Sequence, residues 1–306
     1  MFSFLKKNEL KISFVVIAYN KEQYIRECMN SILTQDIEKE IICVDDYSTD
    51  KTYEILLEYQ SKYKEVKVIR NPKNLGTCMT RYIGLQNCKG EYALMIDADD
   101  SLIKNTIPNI YEESLNNKSD IVEYSYKIKT DNNTKEIILP KQKIKTDLLK
   151  AHVDRKIHNQ LWNKLISKKV YTKALHKLNM TVEHDNYSDV LYFLYIMLQL
   201  ASNVYQTDII GYNYYNDRTG MTAVDSNLQK YLHYCMFYKT YEVLIREYGE
   251  TEELQFWRNY LCNQMVATWI KLSKSDQTLR NKQLMRKIMS DADIHFLTEN
   301  HIKAKK

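Results

Sequence analysis

Apolar and polar positions alternate in blocks through the first hundred residues of this chain. Lys11-Ile-Ser-Phe-Val-Val-Ile-Ala18 is a nearly unbroken β-branched run, the pattern of a strand buried on both faces. After a turn at Tyr19-Asn20, the stretch Glu22–Leu33 carries Tyr24, Ile25, Cys28, Met29 and Ile32 at helical spacing. Glu40-Ile-Ile-Cys-Val-Asp45 predicts a second buried strand. Thr49-Asp-Lys-Thr52 then supplies a helix start ahead of Tyr53, Leu56, Leu57 and Tyr59. Val66-Lys-Val-Ile69 predicts a third strand, Thr77–Asn87 a third helix, and Tyr92-Ala-Leu-Met-Ile96 a fourth strand that stops at Asp97-Ala-Asp-Asp100.

This βαβαβαβ succession implies a mainly parallel, Rossmann-like sheet with helices on both faces. Ligands of such sheets gather beyond the carboxyl ends of the strands. Asp45, Asp46 and the 97–100 cluster all fall there, so they are expected to converge on one crevice. From Asn116 to Lys145 the chain turns polar, with Ile121–Lys129 and Glu136–Leu139 alternating like a hairpin. Asp189–Ala201 reads as a strongly apolar, buried helix. After Asp225 the pattern is helical, with Tyr231, Tyr234, Tyr238 and Tyr241, then Trp257, Leu261, Met265 and Trp269, at helical intervals. The softest boundary lies near Met221–Leu228, which divides the chain into residues 1–222 and a helical region, 223–306.

Bulk properties narrow the function. The apolar share of 44% over 306 residues supports a core, and 6 Gly and 3 Pro disfavour a turn-rich all-β architecture. A formal charge of +5 is too small to imply nucleic acid but suits an anionic ligand. The 6 cysteines form no CxxC or Cys/His pairing, so zinc is not expected and buried reduced thiols are. No apolar signal region follows Met1, and the apolar run Val190–Ala201 is too short to span a bilayer of about 30 Å. The expectation is a soluble cytoplasmic protein.

Asp97-Ala-Asp99-Asp100 is the sharpest chemical feature. Alternating carboxylates at a strand end can present a hard divalent cation to a diphosphate; the bland alternative is a solvated acidic turn. In Val44-Asp-Asp-Tyr-Ser-Thr-Asp50, Asp46 is placed for ligand contact and Asp50 for capping the next helix. Asn74-Leu-Gly-Thr-Cys-Met-Thr-Arg81 joins a glycine, which permits close backbone approach, to a cation one turn on. Arg81 either steers a diphosphate or is a surface arginine.

Taken in order, these segments resemble the inverting family-2 glycosyltransferases of GT-A fold. The matching stretches are Ile12-Ser-Phe-Val-Val-Ile-Ala-Tyr-Asn20, Glu40-Ile-Ile-Cys-Val-Asp-Asp-Tyr-Ser-Thr-Asp-Lys-Thr52, Asn74-Leu-Gly76 with Arg81, and Gly90-Glu-Tyr followed by Asp97-Ala-Asp-Asp100. The resemblance is strong over about the first 105 residues, and it implies a nucleotide-sugar half at 1–105 and an acceptor half at 106–222. It places Ala18, Tyr19, Glu22, Asp46, Arg81, Asp97 and Ala98 at the nucleotide, and Asp97 and Asp99 on Mn2+ or Mg2+. Tyr47 stands where the family usually has glycine, putting an aromatic ring beside the nucleotide pocket; Tyr82 stands where asparagine is common.

The likeness continues downstream. Leu161-Trp-Asn-Lys-Leu is similar to a family Trp-Asn-Lys-Leu segment, and Tyr187-Ser-Asp-Val-Leu-Tyr192 to the segment holding the catalytic base. Asp189 is therefore the candidate base, or else a helix N-cap, with Glu183 and Asp185 in reserve and Ser188 replacing a glutamate. Asn213–Thr222 resembles the segment closing the family's domain, which makes Arg218 a diphosphate or lid candidate beside Asp100. Trp162 is either a sugar-stacking ring at the acceptor or core. His158 and His184 would flank the acceptor groove, but lone histidines are more often structural, and His158 is left out of the catalytic set. The implied function is transfer of a hexose or N-acetylhexosamine from a UDP-sugar to a glycan or lipid-linked hydroxyl with inversion, in surface polysaccharide synthesis. Lys271, Lys274, Arg280, Lys282, Arg286 and Lys287 read first as a solvated basic face, the alternative being peripheral association with the inner membrane surface that a lipid-linked acceptor would make useful. The alternative is a catalytically degenerate binding or assembly subunit of the same fold.

Overall fold

The computed structural model describes residues 10–178, 189–216, 218, 240–242 and 244–261, with the side chains of 189–191 outside that description. Contacts divide the chain into one unit of residues 1–185 and 193–219 and another of 186–192 and 220–306.

The first unit is built on a single ten-stranded sheet. Its parallel half matches the sequence pattern closely: β1 (Ile12–Ala18), β2 (Lys39–Asp45), β3 (Val66–Arg70) and β4 (Tyr92–Asp97) run the same way. Every residue of β1 is buried, as a β-branched run covered on both faces should be. Helices α1 (Ile25–Leu33), α2 (Thr52–Lys62) and α3 (Gly76–Gln86) connect these strands. α1 starts three residues later than its apolar period suggests, because Lys21–Tyr24 form a turn that carries the chain away from the strand end. α3 lies on β1 and β2. The approach is close enough that a β-carbon on Gly84 would sit 2.3 Å from Val15 Cγ1, so glycine is required there.

Beyond β4 the sheet departs from the mainly parallel expectation. β9 (Lys164–Ser167) enters antiparallel between β4 and β6 (Ile121–Thr130), and β6 folds back on β7 (Asn133–Ile137) as the expected hairpin. β10 (Val204–Tyr215) runs parallel to β6, and carries the two-residue β5 (Ser101–Leu102) and β8 (Gln142–Ile144) antiparallel at its sides. A short turn joins the antiparallel pair β6–β7, whereas the other antiparallel pairs bring together strands far apart in sequence. Helices α4 (Ile107–Asn116), α5 (Leu148–Val153) and α6 (Lys168–Lys177) complete the unit, and α7 (Asp189–Leu200) bridges the chain division with Tyr192–Leu198 buried. Cys28, Cys43 and Cys78 are buried free thiols.

In the second unit residues 240–242, 244–248 and 252–261 are helical, and Tyr192 donates to Glu247 Oε2 at 3.0 Å. Tyr241 and Leu261 are buried, consistent with a core stripe. Tyr231, Tyr234, Tyr238, Met265, Trp269 and the basic residues from Lys271 onward lie outside the described residues. Among the described residues no helix is long and apolar enough to cross a membrane.

Candidate active site

Register brings the acidic segments together. Ala18 pairs with Asp45 and Ile17 with Asp97, so β1, β2 and β4 end at the same level. Past that line Ala18 O accepts from Asp46 N at 2.8 Å and Ile17 O from Ala98 N at 3.3 Å. Ala18 and Ala98 are buried and offer backbone only, whereas Tyr19 is 44% exposed. Asn20, at φ 52°, accepts from Thr49 N at 2.8 Å through Oδ1. Glu22, an expected nucleotide contact, accepts from Lys51 N at 3.0 Å and thereby steadies the start of α2. Asp50, expected to cap that helix, stands one residue before its N-cap Lys51 and instead accepts from Thr52 N at 2.9 Å.

The cluster at the end of β4 splits by environment. Asp97 Oδ1 accepts from Arg81 Nη2 at 2.7 Å, and Asp99 Oδ2 from Lys21 Nζ at 2.5 Å. Their side chains keep 27% and 18% exposure. Arg81, reaching in from α3, is itself only 4% exposed, which removes the surface-arginine alternative. Arg218 also meets the cluster: Nη1 donates to Asp99 O at 2.7 Å and Nη2 to Glu27 Oε2 at 2.5 Å, and the guanidinium lies 3.4 Å from the Tyr215 ring centre and 4.7 Å from that of Tyr24. Asp100 faces inward. It is 1% exposed and accepts from Tyr212 Oη and Tyr215 N, both at 2.9 Å. Burial, reinforced by Asp97 and Asp99, pushes its carboxyl well above the usual range. The same Tyr212 oxygen accepts from Asp97 N at 3.3 Å, so one phenol ties β10 to the end of β4.

Asp46 has a different neighbourhood from the one expected of a base-reading group. Its carboxylate is 4% exposed and accepts from Asn71 Nδ2 at 2.8 Å, Leu75 N at 2.8 Å and Gly76 N at 2.9 Å. It shapes the turn that starts α3, where Gly76 takes φ 82°. Trp162 is 6% exposed, stacked at 4.5 Å on Tyr212 and 5.4 Å on Tyr214, with Tyr126 edge-on at 4.8 Å. Its ring is core, the second of the two alternatives the sequence offered. His158 N donates to Glu123 Oε1 at 2.8 Å, in a buried cluster behind that aromatic group. Asp189 opens α7, but its side chain, like Glu183, His184, Asp185 and Ser188, lies outside the described residues.

Sequence reasoning missed Lys21 and Tyr212. Lys21 follows the Tyr19-Asn20 turn directly, and that adjacency was the only signal available. Asp97 and Asp99 offer hard, partly exposed oxygens of the kind Mg2+ and Mn2+ take. Among the described residues no three His, Cys, Asp or Glu groups stand close enough to hold an ion by themselves. A divalent ion held by these two carboxylates would need further oxygens, from phosphates and water, to complete its shell.

Comparison with known proteins gives the same fold. Residues 13–176 match Glycosyl transferase family 2. The chain is 41% identical over 116 residues to the poly(ribitol-phosphate) beta-glucosyltransferase of Bacillus spizizenii, an alignment covering 37% of this chain and 18% of that enzyme. It is 25% identical over 263 residues to the cholesterol galactosyltransferase of Borreliella burgdorferi, covering 81% of this chain and 71% of the relative. The chain thus spans under a fifth of the Bacillus enzyme. The crystal structure of Staphylococcus aureus TarS 1–349 superposes with a TM-score of 0.60 at 20% identity, covering 87% of this chain and 74% of that one. The mannosyltransferase PcManGT from Pyrobaculum calidifontis, in complex with GDP-Man and Mn2+, superposes at 0.57 with 13% identity, covering 92% and 80%. With more than half of its 306 residues matched and its strand-end acids aligned on one crevice, the chain belongs to glycosyl transferase family 2.

Proposed function

We propose that the protein is a metal-dependent, inverting glycosyltransferase that moves a hexose or N-acetylhexosamine from a UDP-sugar to a hydroxyl of a glycan or lipid-linked acceptor, in surface polysaccharide synthesis. The observation that carries this reading is the pair of partly open carboxylates, Asp97 and Asp99, set at one strand end beside Arg81 and Lys21. Such a site suits a diphosphate: the carboxylates take a divalent ion, while the two cations face the phosphates. Support comes also from relatives, since TarS has been crystallised with UDP and with UDP-GlcNAc, and PcManGT with GDP-Man and Mn2+.

Bound at Asp97 and Asp99, Mn2+ or Mg2+ would supply Lewis-acid neutralisation of the charge on the departing nucleotide diphosphate. The chain's own residues do the rest. Arg81 and Arg218 fix the phosphates. Ala18, Tyr19 and Ala98 line the nucleoside end; Asp46 and Glu22 hold the flanking loops in shape. Asp189 takes the proton of the attacking hydroxyl on the face opposite the leaving group, which inverts the anomeric carbon in a single displacement. We assign 1–222 to this catalytic domain and 223–306 to a helical region, and place the protein in the cytoplasm, peripheral to the inner membrane surface where a lipid-linked acceptor is presented.

Calorimetric titration of UDP and GDP, with and without Mn2+, tests the reading. UDP binding is expected to need the metal and to weaken by about tenfold or more in Asp99→Ala. Binding of neither nucleotide would sink the enzyme reading and leave a degenerate scaffold of the same fold.

A further inference from the structure

Tyr19 and Tyr47 occupy neighbouring backbone positions just past the ends of β1 and β2. Ala18 O accepts from Asp46 N at 2.8 Å, and Asn20 N donates to Ser48 Oγ at 3.0 Å. These bonds bracket Tyr19 on one loop and Tyr47 on the other. Both are large side chains left open to solvent, at 44% and 46% exposure.

Tyr47 is the unusual member. Its φ is 66°, in the left-handed region where a β-carbon is penalised and glycine is at ease. Burial gives it no compensation, since nearly half of it is exposed. Its ring has the Arg70 guanidinium 5.2 Å from its centre. Arg70 is itself held firmly: its Nε lies 3.3 Å from Asp45 Oδ2, its Nη2 donates to Ser48 O at 2.9 Å, and it sits 4.3 Å from the Tyr53 ring centre. A fixed cation therefore lies over the Tyr47 ring, while nearly half of the residue stays open to solvent. An aromatic ring kept in a strained backbone state, braced by a cation and open to solvent, is suited to a flat partner.

Resting on the nucleotide-sugar reading above, we infer that Tyr47 supplies the second wall of an aromatic clip, with Tyr19 the first, and that the clip takes the nucleobase of the donor. Stacking needs only a π-face, so the clip strengthens binding of either a pyrimidine or a purine nucleotide without reading hydrogen-bond edges. Base choice then falls to groups around the rim, and Tyr47 sets how tightly the nucleoside is held.

The test is titration of UDP, GDP and inorganic pyrophosphate, all with Mn2+, on the full chain and on Tyr47→Gly and Tyr47→Phe. Glycine relieves the left-handed strain, so Tyr47→Gly is expected to melt no lower than the parent, and lost binding cannot be charged to misfolding. The expected result is that UDP and GDP weaken about tenfold or more with glycine, as loss of one stacking wall implies. Phenylalanine keeps both within about twofold, because it keeps the ring. Pyrophosphate, having no base, binds all three proteins alike. UDP affinity unchanged in Tyr47→Gly would overturn the clip while leaving the nucleotide-sugar reading intact. Equal weakening of pyrophosphate and UDP would also overturn it, by making Tyr47 an organiser of the loop. Failure of the parent protein to bind any nucleotide would overturn both readings together.

Discussion

Lys164 sits in a charge cluster with no access to water, and replacing it by methionine should be among the most damaging single changes in the first unit. Its ammonium lies 3.0 Å from Glu123 Oε1, and both side chains have 0% exposure. It also donates toward the carbonyls of His158 at 2.8 Å and Gln160 at 2.6 Å and toward Asn163 Oδ1 at 3.0 Å. Burial works against both charges, drawing the Lys164 amine below its ordinary value while Glu123 opposes that shift. For Glu123 the burial penalty is outweighed by Lys164, the Gln206 amide and His158, which leave its carboxyl below the usual range. At 3.0 Å the bare attraction is about 5 kcal/mol for an effective dielectric near 20, and the desolvation of two ions consumes most of it. Keeping the pair therefore gains little over an apolar pair, but breaking it leaves a buried anion and two orphaned carbonyls. The expected cost of Lys164→Met is about 3–5 kcal/mol. At about 2–4 °C per kcal/mol for a unit of this size, the melting temperature should fall by about 6–20 °C. Glu123→Gln combined with Lys164→Met should recover much of the loss. Thermal melts followed by circular dichroism decide the matter. A single variant that melts within about 2 °C of the parent, or a double variant no better than the single, would refute the reasoning.

Two further outcomes follow from buried polar groups. Tyr212→Phe removes the hydroxyl that accepts from Asp97 N and donates to Asp100, at 3.3 and 2.9 Å; it should cost about 1–3 kcal/mol and weaken Mn2+-dependent UDP binding, as melts and calorimetry on one preparation would show. His152 is 2% exposed, and burial, aided by the charge of Lys164, lowers its pKa to about 4 from 6.5. The folded protein thus holds this ring neutral while the unfolded chain binds a proton below pH 6.5, so its contribution is complete above pH 6.5 and is lost as pH falls toward 4. The full span is on the order of 3 kcal/mol, and the difference in melting temperature between parent and His152→Gln should shrink steadily from pH 7 to pH 4.5.

The parallel half of the sheet was legible because its signals are local. A strand buried on both faces must be apolar throughout, and the helices between must repeat their apolar positions near every fourth residue. Lengths and order follow from those patterns alone. β9 was not legible for the opposite reason. It opens on Lys164, which reads as a surface residue until Glu123, 41 positions away, is folded against it. β10 carries Tyr212, Tyr214 and Tyr215 in a run without clean alternation, and register shifts at Thr207/Ile210 and Ile210/Tyr212 blur its period further. The site divides in the same way. Residue type revealed where acids would gather, but which donors each would meet depends on contacts made across the fold. Asp46 illustrates this: its neighbours in sequence suggest a ligand contact, and its partners in space are the amides of Leu75 and Gly76.

Exposure sorts the five strand-end acids more sharply than the motif does. Asp45 is buried against Arg70 and Ser48, Asp46 against the start of α3, and Asp100 against Tyr212 and Tyr215. Each of these three connects two segments of backbone, and none is open enough to exchange its partners for a ligand at low cost. Asp97 and Asp99 alone retain substantial exposure, and each is balanced by a cation arriving from a different element, Arg81 from α3 and Lys21 from the turn before α1. Charge balance is what lets two carboxylates stand two residues apart while a third, Asp100, is buried beside them. On the proposed function the same arrangement would serve the reaction: Asp97 and Asp99 would hold the divalent ion, while Arg81 and Lys21 would face the phosphates where charge builds on the departing diphosphate.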